Sequence, residues 1–358
     1  MDKFAFVIHP INVKRDVIRK YPFWGRVFNE RKIEFLSTYF PPVYISHIEG
    51  IQSKSTGKTI EGWFIACPLS PALMLRLPEK TVYHKIIQTG RMAEKLDAQI
   101  LGLGAFTSVI GDAGFSIANA LQIPVTTGDS YTVAIAIQAI KSAVDLMGVH
   151  LKNAHVAIVG ATGAIGRVCA ELIAHDVSKI TLIGKREAAL IELQQSLLAA
   201  GAHAKITTST GLEALRSSQI VLTVTSDIHA IIQPEHLMPG SIICDVARPR
   251  DVSAQVAALR EDVLVIDGGI VEVPGKVNFN FDFGFPPGKA YACMAETMAL
   301  ALEGRFENYT IGKNITREQV LEISQLAEQH GFQLSGLRSF EQQITPEQIE
   351  SVRRNARL

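Results

Sequence analysis

NAHVAIVGATGAIGRVCAELIAHDVSKITLIGKR, residues 153–186, is the stretch whose reading decides the fold. The apolar run His155 to Val159 reads as a buried parallel strand, because a strand covered on both faces shows no polar alternation. Gly160, Gly163 and Gly166 follow at the spacing G-x-x-G-x-x-G, an amphipathic helix is predicted over Ala164 to Ala174, and Ile180 to Ile183 closes the unit as a second strand. A strand, a glycine-rich turn and a helix in that order suit a dinucleotide. The glycines admit the pyrophosphate to the backbone, and the helix N-terminus offers unpaired N–H groups to it. The strand before and the helix after are what lift the pattern above a chance spacing of glycines.

The second strand runs into Gly184-Lys185-Arg186, with no carboxylate before Glu187. An Asp or Glu there holds a ribose 2′-OH, whereas a basic residue accommodates a 2′-phosphate. The expected cofactor is therefore NADPH, held by Gly160, Thr162, Gly163, Ala164, Ile165 and Gly166 in the turn and by Lys185 and Arg186 beyond the second strand. Two solvated surface cations are the competing reading of that pair.

Outward from this unit the alternation continues. Glu187 to Ala200 is predicted helical, and strands are expected near Ala204 to Thr207, Ile220 to Thr225, Ser241 to Val246 and Val263 to Ile266. Strands separated by helices describe an open doubly wound parallel sheet, whose ligands sit beyond the strand C-termini. Thr225, Gly268 and Gly269 fall there and join the expected cofactor-binding residues. Upstream, strands are expected at Lys3 to His9, Val43 to Glu49, Thr59 to Ala66 and Gln99 to Leu103, with helices at Pro71 to Leu77 and Val82 to Leu96 and on either side of Tyr21-Pro22. Tyr131 to Met147 is an apolar helix stopped by Gly148, with Asp129 or Ser130 as its cap. From Gly288 onward the chain is expected to be helical.

The predicted architecture is α/β: an N-terminal α/β substrate domain over 1–148, a Rossmann-type domain over 149–285 and C-terminal helices over 286–358. With Lys+Arg and Asp+Glu both 35, nothing in the overall charge balance favours nucleic acid or an anionic membrane. No apolar run approaches the ~20 residues of a membrane span. Four scattered cysteines without a C-x-x-C pair point to a reducing cytoplasm, and no metal site is expected. The opening MDKFAFVIHPIN is too short in its apolar stretch for a signal peptide.

The residue suited to covalent chemistry is Cys293, in PPGKAYACMAETMALALEG. Pro286, Pro287 and Gly288 end a loop there, which places Cys293 in the first helical turn. A helix N-terminus lowers a thiol pKa, and Lys289 is expected to add to this. A thiolate beside a nicotinamide suits thioester reduction: sulfur takes the acyl group and hydride releases an aldehyde. Core packing is the alternative for a cysteine among Ala and Met.

The segment ACMAETMALALEG, followed by Gly312-Lys313-Asn314 and His330-Gly331-Phe332, resembles the C-terminal region of the cyanobacterial long-chain fatty acyl-ACP reductases. The resemblance extends to VAIVGATGAIG, to DGGIVE at Asp267 to Glu272, to Phe106-Thr107-Ser108 and to Thr126-Thr127-Gly128, collinearly from about Gly57 onward. It implies an NADPH-dependent enzyme whose cysteine at position 293 carries the acyl group, with an acyl carrier protein or CoA thioester as substrate and an aldehyde-consuming enzyme as possible partner. Cys67 also matches a family cysteine and reads as structural. Val273 to Gly288 departs from the family pattern, and VARPRD at Val246 to Asp251 resembles the glutamyl-tRNA reductase and shikimate dehydrogenase superfamily. A shikimate dehydrogenase-like oxidoreductase of a hydroxy acid and a non-catalytic NADPH-binding regulator are the competing functions. Tyr291, Glu296, Ser130 and a bound water stand as candidate proton donors, and Leu103 to Leu121 as the expected lining of an acyl tunnel.

Overall fold

A computed structural model describes all residues except 12, 22, 24–27, 283, 341 and 358. The chain divides into two compact units, the first made of 1–131, 271–314 and 321–333, the second of 132–270, 315–320 and 334–358. The segment from 286 onward thus contributes to both.

In the second unit the six strands are β6 (His155–Val159), β7 (Lys179–Ile183), β8 (Lys205–Ser209), β9 (Ile220–Thr223), β10 (Ile242–Asp245) and β11 (Leu264–Asp267), preceded in the chain by five strands of the first unit. They form one sheet in the order β11-β10-β9-β6-β7-β8, every pair parallel. Read in chain order this is 3-2-1-4-5-6, the doubly wound arrangement with its switch point between β6 and β9. Every residue of β6, β9, β10 and β11 is buried, as sheets covered on both faces require.

The first unit holds a mixed sheet. Its strands are β1 (Asp2–Ile8), β2 (Val43–Gln52), β3 (Thr59–Ala66), β4 (Ile100–Leu103) and β5 (Val125–Thr126), joined by the later strand Gly275–Asn278 on the edge beside β2. β1 runs parallel to β3 and β4, while β2 is antiparallel to β3. The Ala292–Glu303 helix lies on β1 and β4, and all residues from Met294 to Leu302 are buried, which is why that helix is apolar apart from Glu296 and Thr297 over this span. Gly102 in β4 permits the approach: a Cβ there would strike the Thr297 hydroxyl and the Phe6 ring.

The expected helices appear at Pro71–Arg76, Glu79–Lys95 and Asp129–Met147, and Val13–Lys20 and Glu30–Ser37 flank Tyr21, with Pro22 outside the described residues. One expectation needs correction. Lys289–Tyr291 is a strand rather than the start of a helix, because Gly288 turns with φ +80 and its carbonyl accepts the Val273 N–H, which holds the following residues extended. Gly275–Asn278, for which the sequence points to no element, pairs with β2.

Candidate active site

Cys293 is the second residue of its helix, whose N-cap is Tyr291. It is partly exposed, whereas Cys67, Cys169 and Cys244 are buried. Thr126-Thr127-Gly128 is laid directly over it. Gly128 has φ +77, and a Cβ at that position would overlap the Cys293 backbone, so only glycine permits the approach. The Thr127 N–H donates to the Thr310 carbonyl (2.8 Å) and the Val125 N–H to Asn308 Oδ1 (2.8 Å), which pins this strand end in place.

Two carboxylates border the thiol. Glu296, one turn along from Cys293, has no exposed surface. Its Oε1 accepts from the Thr126 hydroxyl and from Thr310 Oγ1 (2.8 Å), and its Oε2 accepts from the Tyr131 N–H (2.8 Å). Ser130 Oγ lies 2.9 Å from Thr310 Oγ1. Thr310 Oγ1 has a single proton, which it can direct either to Glu296 Oε1 or to Ser130 Oγ. The sequence offers Asp129 or Ser130 as the cap of the helix that follows; Asp129 instead opens the Asp129–Met147 helix, and Glu296 takes the Tyr131 amide of its first turn. Burial, reinforced by the charge of Glu296, pushes the Asp129 carboxyl up to about 7. Burial likewise raises Glu296, against the pull of the Thr126 and Thr310 hydroxyls and the Tyr131 and Gly128 amides.

The thiol does not have the low pKa expected of a helix N-terminus. Burial pushes Cys293 up to about 12, and Asp129 and Glu296 add to the rise; the Met294 N–H, the contribution of the helix start, opposes them and loses. A first-turn dipole is worth at most ~2 kcal/mol, less than the desolvation of a buried thiolate beside carboxylates. Lys289 does not supply the missing charge, because its ammonium lies 3.9 Å from Glu272. Burial also holds Cys67 at about 11, in keeping with a structural role. Leu103, Phe106 and Ile117, expected along a tunnel, are packed into the interior of the unit.

In the second unit two positions of the glycine-rich turn, Gly160 and Gly166, have no room for a side chain. Gly160 has φ +81 and a Cβ there would meet the Val224 carbonyl; a Cβ on Gly166 would meet the Gly160 carbonyl. Gly163 is the N-cap of the Ala164–Ile173 helix and is exposed. The N–H groups of Gly160 and Ala161 both donate to the Ile183 carbonyl (2.9 and 3.1 Å), which brings the turn beside the end of β7. Thr162 Oγ1 lies 3.6 Å from where a Cβ of Gly184 would stand. Arg186 is exposed at the N-cap of the Glu187–Ala199 helix, and Lys185, also exposed, pairs with Asp227 (3.2 Å). Gly166→Val is expected to lower stability by about 1–3 kcal/mol through overpacking against Gly160 and to weaken nucleotide binding. Thermal melting with and without NADPH measures both.

Thr225 has its side chain already engaged. Asp251, fully buried, accepts from Thr223 Oγ1 (2.6 Å), from the Thr225 N–H (2.9 Å) and from the Thr225 hydroxyl. Asp245, at the end of β10, accepts from the N–H groups of Ala247 (3.1 Å) and Val252 (3.0 Å). Arg250 pairs with Asp267 at the end of β11. These carboxylates organise the loops beyond three neighbouring strands. Thr310 carries no signal in the sequence, whereas Asp251 closes the VARPRD segment and Asp245 is the strand-terminal Asp directly before it. Gly268 sits against Val246 and the Cys244 sulfur, and Gly269 has φ +92, so this pair makes a tight turn at the end of β11.

Comparison with known proteins places these units in context. The pattern of the Shikimate / quinate 5-dehydrogenase family matches residues 141–267. The long-chain acyl-[acyl-carrier-protein] reductase of Synechococcus elongatus is 29% identical over 336 residues, covering 89% of this chain and 94% of that enzyme. The aminotransferase PigE of Serratia sp. is 28% identical over 361 residues; the match covers 98% of this chain, which spans only 42% of that protein. Among solved structures, L-tryptophan dehydrogenase of Nostoc punctiforme aligns over 99% of this chain and 87% of its own, at 11% identity and a TM-score of 0.42. The resemblance to the cyanobacterial reductases noted from short motifs therefore extends along nearly the whole chain.

Proposed function

We propose that this chain is an NADPH-dependent reductase that converts a long-chain acyl thioester, carried on an acyl carrier protein or coenzyme A, into a fatty aldehyde through an acyl-Cys293 intermediate. The observation that carries this reading is the placement of Cys293 under Gly128, with Asp129 and Glu296 bearing on its thiol. The similarity to a long-chain acyl-ACP reductase over 94% of that enzyme's length supports it.

A thiol raised to about 12 is neutral at pH 7, so its attack needs a base. Asp129, raised to about 7, is half ionised there and is suited both to take and to return a proton. Cys293 Sγ bonds to the acyl carbonyl carbon as its proton passes to Asp129. The bond from that carbon to the carrier sulfur breaks, and the carrier thiol leaves with the proton. NADPH, when bound, supplies the hydride that reduces the acyl carbon. The carbon–sulfur bond to Cys293 then breaks, aldehyde departs, and the thiolate recovers a proton that reaches Asp129 from solvent. Glu296 acts as a positioning residue: through Thr126, Thr310 and Tyr131 it holds the segment that presents Gly128 and Asp129.

The turn fits a pyrophosphate, since Gly163 stands open at a helix start and Gly160 and Gly166 have no room for a Cβ. Gly160, Thr162, Gly163, Ala164, Ile165 and Gly166 would hold it, with Thr225, Gly268 and Gly269 at neighbouring strand ends. Lys185 and Arg186 would meet the 2′-phosphate. Protein incubated with NADPH and palmitoyl-ACP is expected to release hexadecanal. Lys185→Ala/Arg186→Ala is expected to raise KM for NADPH about tenfold or more while leaving NADH nearly unchanged, the signature of a lost 2′-phosphate contact. Oxidation of a shikimate-type hydroxy acid in place of aldehyde formation would instead support the dehydrogenase reading favoured by the match over 141–267.

A further inference from the structure

Residues 11–44 contain seven Lys or Arg against three Asp or Glu, in a chain whose formal net charge is zero. The same stretch holds eight aromatic residues, where the whole chain has 16 Phe, 7 Tyr and 2 Trp. Folding ordinarily hides large rings, yet Phe23, Phe35, Tyr39 and Phe40 are 72%, 63%, 73% and 52% exposed, and Tyr21 and Tyr44 also stand open. Elsewhere among the described residues, Phe115 is the remaining exposed aromatic side chain. The Glu30–Ser37 helix shows how this arises: Ile33 and Ser37 face inward, leaving Arg31, Lys32 and Phe35 outward. Phe35 and Tyr39 meet edge to face at 5.5 Å, and with Arg31, Arg76 and Leu77 they line an open groove of about 700 Å³. Lys14 and Arg15 are exposed on the preceding helix.

Rings interleaved with cations match the headgroup level of a membrane, where aromatic side chains insert shallowly and Lys and Arg reach anionic phosphates. A protein interface gathers its rings at one centre and is depleted in Lys, which is not the pattern here. We infer that this face docks the protein on an anionic lipid bilayer, lying in the interface plane. The inference stands apart from the proposed reaction, since it uses none of the residues assigned to it.

The test is co-sedimentation of the full chain with vesicles of phosphatidylcholine alone or mixed with phosphatidylglycerol. Binding is expected to the phosphatidylglycerol vesicles at about 0.1 M salt and to weaken at 1 M. Phe35→Ser/Tyr39→Ser should weaken it about tenfold or more, and Arg31→Gln/Lys32→Gln should reduce the preference for anionic lipid. Leu198→Ser, at an exposed site in the second unit, should bind as the parent does. These side chains are exposed, so melting temperatures of the variants should stay at the parent value. Failure of the parent to sediment with anionic vesicles overturns the inference, and so does full binding by the ring variant. Loss of acyl carrier protein binding by the ring variant, with no vesicle binding by the parent, identifies the face as a protein dock and overturns it equally.

Discussion

Cys293→Ala is expected to lower aldehyde formation at least about 10³-fold and to eliminate the acyl adduct, because no second thiol is placed to replace it. The other three cysteines are buried, with Cys169 held near 12 and Cys244 well above its ordinary value by burial. Intact-mass measurement after incubation with acyl-ACP, without NADPH, should show one acyl group on the parent and none on the variant. Because the glycine-rich turn lies in the second unit, NADPH binding should be retained, and the loss can then be assigned to chemistry. An adduct that persists in Cys293→Ala, or reduction at the parent rate, refutes the covalent route. Removing one sulfur from a partly exposed site is a small packing change, so the variant is expected to fold.

Asp129→Asn is expected to affect rate and stability in opposite directions. The rate should fall about 10²–10⁴-fold, the usual range for a lost general base. The parent's kcat/KM should rise as pH passes through about 7, where Asp129 ionises, and the variant should lack that step. For stability, the folded value of about 7 lies above the ordinary 3.8, so between these pH values the native state keeps a proton that the unfolded chain releases. The contribution of the neutral carboxyl is complete below about pH 4 and is lost as pH rises to 7. Above that, the buried carboxylate costs up to ~4 kcal/mol at 1.36 kcal/mol per pKa unit. Asparagine stays neutral throughout. The variant should therefore gain about 2–4 kcal/mol over the parent at pH 8 relative to the difference at pH 4. Chemical denaturation at both pH values measures this. A variant with parent-like rate and an unchanged pH profile removes Asp129 from the mechanism.

The fold was legible because its signals are local. β6, β7 and β9 to β11 are short apolar runs bounded by turns, and the periodicity of the intervening helices is complete within each segment. The glycine-rich turn was legible for the same reason, since Gly160, Gly163 and Gly166 carry their steric meaning within seven residues. The edge strand Gly275–Asn278 was not, because its partner in β2 lies more than 200 residues away and its own residues favour no element.

At the candidate site, sequence by itself determined which residue is the nucleophile candidate and that it stands in the first turn of a buried helix. Only the tertiary structure decided the state of that thiol. The segment from Thr126 to Tyr131 reaches Glu296 from 165 to 170 positions away, bringing a second carboxylate and packing Gly128 against Cys293. Desolvation and charge act through space, whereas the helix dipole follows from chain order alone. Chain order therefore predicted a lowered pKa, and the folded surroundings of Cys293 reversed it.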